Sequence, residues 1–201
     1  MSGKQVGWAT AHGMKRRLFL QLPLAAAAFA LEARAAELGR PEKGFKVEAQ
    51  RDRYAEELLI MGGRFDCKVS GRDTAGDLCI YHTIREAKGG PALHRHHQQD
   101  EWFYVMQGEF LCKVGEDTFN LRPGDSAFGP RKVPHAFAKI SEGEAQMLVL
   151  FQPAGSIEEF FKEISKLGKD IPANQEVVMK ALCERHGMEV VGPPLKLPRY
   201  S

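Results

Sequence analysis

The chain has 201 residues, of which 43% are hydrophobic and 27% charged, and its formal net charge is +2 at pH 7. This is the composition of an ordinary soluble protein, and the length suits one domain with appendages and a substantial core. The first 35 residues carry a net charge of +4 and the remainder carries −2. Without a basic patch that includes aromatic residues, the composition argues against a nucleic-acid-binding protein.

Residues 1–35 have the pattern of a cleavable export signal. The basic stretch Lys15-Arg16-Arg17 precedes an apolar run of about 14 residues that ends at Ala30, and small residues follow at Ala33 and Ala35. The apolar run is shorter than the roughly 20 residues that span a bilayer. The paired arginines resemble a twin-arginine signal. We therefore expect a bacterial protein that is periplasmic or extracellular, with no stable membrane span after processing. An amphipathic core helix is the weaker alternative.

Residues 36–61 form a predicted linker and N-terminal arm. Charged residues alternate with Gly39, Pro41 and Gly44, which is typical of a linker. The segment from Arg51 to Met61 fits a short helix, or an arm that pairs with the following domain or with a second subunit.

Residues 62–153 have the pattern of a β-barrel. Short runs rich in β-branched and aromatic residues recur every eight to twelve residues between turn residues, which indicates an all-β sandwich or barrel. A jelly roll of about eight strands around a small cavity fits this pattern. The predicted strands are Arg64–Val69, Asp77–Ile84, Glu101–Gln107, Glu109–Val114, Thr118–Leu121, Ser126–Phe128, Ala136–Ile140 and Gln146–Phe151.

The four cysteines show no C-x-x-C spacing, which argues against a zinc knuckle or a thioredoxin-type site. Cys67, Cys79 and Cys112 lie in strand-like runs, where a small buried apolar side chain is expected. If the protein is exported, a disulfide between Cys67 and Cys79 is one of the alternatives.

Residues 154–201 are predicted to contain two helices and a tail. Ser156 and Glu159 have the spacing of a capping box for the first helix, and the second helix should begin near Asn174 and end at Gly187. Both helices need a partner for their apolar faces, so we expect them to pack on the outside of the barrel. The expected apolar positions are Ile157, Phe160, Phe161, Ile164 and Leu167 in the first helix, and Val177, Val178 and Leu182 in the second. Pro193–Ser201 should be an extended tail.

Four residues have the spacing of a mononuclear metal site. His94 and His96 are two apart and so project to the same face of a strand, Glu101 follows shortly afterwards, and His135 is a distant third imidazole. Three imidazoles and one carboxylate suit a divalent transition metal such as Fe, Mn, Ni, Cu or Zn. An isolated histidine is more often structural, but the coincidence of these spacings favours ligands here.

The same residues carry a family resemblance. His94-x-His96, four residues, Glu101, six residues and Gly108 resemble the first conserved motif of the cupins. Gly124-Asp125, Pro130 and Pro134-His135-x-Phe137 resemble the second motif. Lys132 and Lys139 depart from the pattern, standing where many members have glycine and asparagine. The similarity extends from about residue 62 to residue 153, and the two-helix tail resembles that of single-domain type-2 cupins described as quercetin 2,3-dioxygenase-like.

This resemblance implies a cupin jelly-roll barrel with two C-terminal helices packed outside it. It also implies that His94, His96, Glu101 and His135 bind one metal ion, and it makes a homodimer possible. The activity it implies is that of an exported dioxygenase-like enzyme acting on a flavonoid or a related enol or catechol. The alternative is a non-catalytic cupin module that binds or senses a small molecule, since one fold supports many functions.

Three side chains are assigned roles in the predicted reaction. Glu101 is a candidate proton acceptor as well as a ligand. Phe103 shares the strand parity of Glu101, and Phe137 that of His135, so both are candidates for the wall of a substrate pocket. Ordinary core packing is the alternative for both phenylalanines.

Overall fold

The computed structural model describes residues 39–167 and 175–197. The predicted export signal, the end of the first predicted helix at Gly168 and the last four residues lie outside this part. The described chain forms eleven strands and two α-helices. They are β1 (Leu58–Ile60), β2 (Gly63–Val69), β3 (Cys79–Arg85), β4 (Ala92–His96), β5 (Asp100–Gln107), β6 (Phe110–Val114), β7 (Asp117–Leu121), β8 (Ser126–Gly129), β9 (His135–Lys139), β10 (Ala145–Gln152), α1 (Ile157–Lys166), α2 (Gln175–Arg185) and β11 (Met188–Pro194).

The strands form the two sheets of a jelly-roll barrel. The first has the order β1-β2-β3-β10-β5-β8, and the second has the order β11-β4-β9-β6-β7. Strand β10 shows how the core is built, because every second residue from Ala145 to Phe151 is buried. This period of two is the strand pattern read from the sequence. The prediction of an all-β jelly roll with two outer helices is confirmed.

Each of the eight predicted strands overlaps a strand of the structure, but β1, β4 and β11 were not among them. Strand β1 pairs with β2, Leu58 lying opposite Phe65, so the arm pairs with the barrel rather than forming a helix. Strand β11 pairs with β4 at the edge of the second sheet. Its register shifts on either side of Gly192, and its last residues are prolines, which an edge strand tolerates. The predicted tail began at Pro193, so only the last two residues of β11 fall within it.

The helices lie outside the strands, yet their apolar residues face the space enclosed by the barrel. The ring of Phe161 in α1 lies 4.9 Å from that of Tyr81 and 5.7 Å from that of Phe151. In α2, Leu182 is buried as predicted, whereas Val177 is 66% exposed, so its predicted burial is wrong. The helices thus cover one side of the barrel interior.

The predicted capping box of α1 does not form. The Ser156 side chain makes no capping hydrogen bond. Instead, Glu158 in the first turn accepts hydrogen bonds from the Ser70 hydroxyl at 3.0 Å and from the Gly71 amide at 2.5 Å. The first turn of α1 is therefore hydrogen-bonded to the loop after β2 rather than capped by its own Ser156 side chain.

All four cysteines are buried and free, so the bond left open between Cys67 and Cys79 is not formed. Burial raises the pKa of each thiol, to about 12 at Cys67 and Cys112 and to about 11 at Cys183. Thiols in this state are poor nucleophiles and behave as small apolar side chains. Among the described residues, neither helix is long and apolar enough to cross a bilayer.

Candidate metal centre

The four predicted ligands come together between the two sheets. His94 and His96 lie on β4, and His135 lies on β9 directly opposite His94 in the second sheet. Glu101 lies on β5 of the first sheet and faces them. Residues 41 positions apart in the sequence become neighbours because β4 and β9 are paired.

One carboxylate oxygen of Glu101 is the centre of the cluster. Its Oε2 lies 2.8 Å from the Nε2 atom of His135, 3.3 Å from that of His96 and 3.8 Å from that of His94. One donor atom from each of the four residues lies within 4.8 Å of all the others. Glu101, His96 and His135 are buried, and His94 is partly exposed.

The other nitrogen of each imidazole is held by an oxygen acceptor. The Nδ1 atom of His94 lies 2.8 Å from the Ala92 carbonyl, and that of His135 lies 2.9 Å from the Val133 carbonyl. A carbonyl oxygen can only accept, so these Nδ1 atoms carry protons and donate them. For a neutral imidazole, this leaves the lone pair on Nε2, on the side of the cluster.

Gln99 holds the third imidazole and was not identified from the sequence. Its Nε2 donates to the carbonyls of Pro153, at 3.1 Å, and Ala154, at 2.6 Å. Its Oε1 is therefore turned towards His96 and accepts a hydrogen bond of 3.0 Å from Nδ1. Its acceptors lie more than fifty residues further along the chain. No local sequence pattern indicates this role.

Lys132, in the turn before β9, links the two ligand strands of the second sheet. The Lys132 amide donates to the His96 carbonyl at 2.7 Å, which ties the turn before β9 to β4. Lys132 has φ of +68°, a left-handed conformation that glycine adopts most easily. Lys132, which departs from the cupin pattern, therefore stands at a position whose backbone conformation is strained for a residue with a side chain.

The charges within the cluster are strongly coupled. Burial alone would raise the pKa of Glu101, but the hydrogen bond with His135 and the nearby imidazoles of His94 and His96 outweigh it and hold that pKa well below the usual range. Burial opposes the charged form of His135, but its hydrogen bond to Glu101 outweighs this effect and raises its pKa. Burial lowers the pKa of His94. Glu101 is thus a carboxylate, and His94 is a neutral imidazole at neutral pH.

These residues fit a divalent transition metal. The Nε2 atom of His96 is fully buried and has no hydrogen-bond partner among the described residues, an arrangement that is costly unless a ligand binds there. The three imidazoles and one carboxylate are the donor types that such metals prefer. The cluster of His94, His96, Glu101 and His135 could therefore bind one metal ion.

The cluster opens into a cavity of about 820 Å³. His94, His96 and Glu101 line it, and Phe137 forms part of its wall. Phe103 is fully buried and does not line the cavity, but its ring lies 5.7 Å from that of Phe137. Phe103 therefore packs against the wall residue Phe137 on the side away from the cavity. Helical residues complete the lining, among them Phe160, Phe161, Ile164, Met179 and Cys183.

The fold and the cluster together define a jelly-roll barrel with a candidate metal centre between its sheets. Residues 81–151 match the family model described as "Cupin domain". The matched segment contains all four residues of the cluster. The match and the fold support the cupin superfamily, as the sequence resemblance implied.

Sequence relatives and a solved structure are similar to the chain. It is 28% identical over 67 residues to an uncharacterized protein of Methanocaldococcus jannaschii, covering 33% of this chain and 54% of the relative. It is 37% identical over 60 residues to an uncharacterized protein of Streptomyces coelicolor, covering 30% of this chain and 56% of that protein. The chain thus spans about half the length of these relatives. The structure of KdgF from a Halomonas species is 21% identical, with a TM-score of 0.49, covering 57% of this chain and 99% of KdgF.

Proposed function

We propose that this chain is a mononuclear metal-dependent enzyme that uses dioxygen to cleave a flavonoid or a related enol or catechol. The supporting observation is the cluster itself, in which four candidate ligand side chains converge and three of them line a mainly apolar cavity. A cavity of about 820 Å³ lies within the range, roughly 300–1,000 Å³, that holds small molecules. A bound divalent metal would act as a Lewis acid and lower the pKa of a coordinated hydroxyl.

The protein side chains then have separate tasks. Glu101 is held as a carboxylate by the surrounding imidazoles and can accept the proton of a substrate hydroxyl. The Ala92 and Val133 carbonyls and Gln99 keep the three imidazoles oriented. Phe137 and the helical residues surround an apolar ring system and exclude water from it.

The role of Glu101 is tested by the substitution Glu101→Gln. The amide retains an oxygen donor but loses the basic carboxylate, so we expect much of the metal affinity to remain while turnover falls by about 10²–10⁴-fold. Oxygen uptake with quercetin and other catechols measures turnover, and elemental analysis measures metal content. Glu57→Gln is the matched control, because Glu57 is exposed and lies outside both the cluster and the cavity lining, and it should keep full activity.

Two outcomes would contradict parts of this proposal. Full activity in Glu101→Gln would remove the carboxylate from the chemical step. Tight metal binding without oxygen uptake, in protein loaded in turn with iron, manganese, nickel or copper, would instead favour the non-catalytic binding module.

We also propose that the protein is exported by a bacterial cell. The support is the charge and apolar pattern of residues 1–35, in particular Lys15-Arg16-Arg17 and the alanine-rich run after it. Cell fractionation should find a shortened chain outside the cytoplasm. A full-length chain confined to the cytoplasm would contradict export without affecting the metal centre.

A further inference from the structure

A buried arginine shares the cavity with the metal cluster. Arg85 is the last residue of β3, is only 3% exposed, and lines the same cavity as His94, His96 and Glu101. Its side chain extends across Gly63 on the paired strand β2. A Cβ atom at position 63 would lie 2.8 Å from Nη1 of Arg85, so the glycine leaves the space that the guanidinium occupies.

The guanidinium of Arg85 has few partners within the described protein. Its Nη2 donates to the Met61 carbonyl at 2.7 Å, and this is its one side-chain hydrogen bond among the described residues. Its Nε is buried without a partner, and no described carboxylate forms an ion pair with it. The nearest π system is the Phe137 ring, whose centroid lies 5.9 Å from the guanidinium carbon. An arginine keeps its charge, and a buried charge without a counter-ion is costly.

Burial alone does not make a cation a ligand-binding group, as Lys139 shows. Lys139 is fully buried, but its ammonium donates to the carbonyls of Glu86 and Ser141, both at 2.8 Å. Lys139 does not line the cavity. Arg85 differs in both respects, because it lines the cavity and is bound to only one carbonyl.

We propose that Arg85 binds a carboxylate group of the substrate, and this rests on the proposed function for the metal-binding end of the cavity. A planar guanidinium matches a planar carboxylate and can form two parallel hydrogen bonds to it. Among the described residues the surrounding lining is mainly apolar, and Lys180, the other Lys or Arg side chain that lines it, is exposed rather than buried. A single guanidinium therefore fits a monoanion better than a doubly charged phosphate ester. The substrate is then a carboxylic acid whose enol or catechol hydroxyls lie at the cluster.

The test compares the binding of an acid with that of its neutral ester to the zinc-loaded full chain. Zinc is used because it has no redox chemistry, so binding is measured without a reaction with oxygen. Calorimetry would measure the affinities for 3,4-dihydroxybenzoate and its methyl ester. Charge-assisted hydrogen bonds should make the acid bind about 10–100-fold more tightly. In Arg85→Gln this ratio should fall close to one, with the ester affinity and the zinc content unchanged. Arg64→Gln is the matched control, because Arg64 on β2 already pairs with Asp66, and it should keep the full ratio.

Gly63→Ala provides a second variant if Arg85→Gln does not fold. The added methyl group would displace Nη1 while leaving the charge, so the ratio should fall in this variant as well. A ratio near one in the unchanged protein, a ratio that persists in Arg85→Gln, or no binding of either probe would overturn the proposal. Tighter binding of phenyl phosphate than of benzoate would overturn the choice of carboxylate. If the unchanged protein binds the acid more tightly than the ester but takes up no oxygen, only the proposed dioxygenase activity would be contradicted.

Discussion

The two walls of the cavity are built in different ways. The ligand wall consists of β4, β5 and β9, and each imidazole on it is oriented by a hydrogen bond to an oxygen. The helix wall consists of α1 and α2, and on the side that faces the cavity it packs through apolar contacts such as those of Phe161. Hydrogen bonds have preferred distances and angles and so fix the orientation of the imidazoles, whereas apolar packing is non-directional. The first wall is therefore suited to hold an ion, and the second to enclose an organic molecule.

This contrast implies that metal affinity and cavity shape can be changed separately. The walls are close in space, since the ring of Phe151 lies 5.7 Å from that of His96 and 5.7 Å from that of Phe161. Through Phe151 they meet in ring contacts, and β11, which follows α2, pairs with β4. None of the oxygens that orient the imidazoles belongs to a helix. Substitutions in one wall should leave the main property of the other largely intact.

The largest effect is expected in the helix wall, from Phe161→Ala. Phe161 is 6% exposed and its ring packs against Phe65, Tyr81 and Phe151, so its removal leaves a void in the core. We expect the free energy of unfolding to fall by about 3–5 kcal/mol. Denaturant titration measures this loss, and zinc titration of the folded protein should show an affinity within a few-fold of the original.

The control for this prediction is Val177→Ala in the other helix. Val177 is 66% exposed, so its truncation should change the free energy of unfolding by less than about 0.5 kcal/mol. A large loss of metal affinity in folded Phe161→Ala would show that the helices help to position the ligands, which would remove the distinction between the walls.

In the ligand wall, His96→Ala should remove most of the metal affinity. Structural zinc sites gain about 10–16 kcal/mol from four ligands, so one ligand contributes about 2.5–4 kcal/mol, or roughly 100–1,000-fold in affinity. Competition titration with a chelator measures the change. Metal should also raise the melting temperature of the unchanged protein but not that of the variant, because ligand binding stabilises the folded state.

His97→Ala is the matched control, since His97 is adjacent in the chain, exposed and outside the cluster. It should bind metal as the unchanged protein does. Equal losses in the two variants would mean that the cluster is not the metal site.

The ligand wall was largely predictable from the sequence, and the helix wall was not. The spacing of His94 and His96 encodes a shared strand face, because the strand period is local. His135 could be named only as a distant third imidazole, and the family resemblance rather than any local rule supported its place in the site. The helices were predicted from their apolar period, but that period does not tell which surface they cover. Tertiary packing alone determines that α1 faces the barrel interior.

The residues missed within the site share one property. Gln99 and Arg85 act through partners that are distant in sequence or belong to another strand, such as Ala154 and Gly63. A glutamine in a polar link and an arginine at a strand end are both common on protein surfaces. Only their burial, at 5% and 3% exposed, distinguishes them, and burial depends on the whole fold.

The smallest effect is expected from Gln99→Leu, which tests whether orientation in the ligand wall contributes measurably. Leucine has a similar volume but cannot accept the hydrogen bond from the Nδ1 atom of His96, so the ring is free to turn or to change tautomer. We expect zinc affinity to fall by about 10–100-fold, less than in His96→Ala. Gln98→Leu, at the exposed neighbouring position, controls for an added apolar side chain and should bind zinc normally. Equal affinities in Gln99→Leu and the unchanged protein would show that strand pairing alone positions His96.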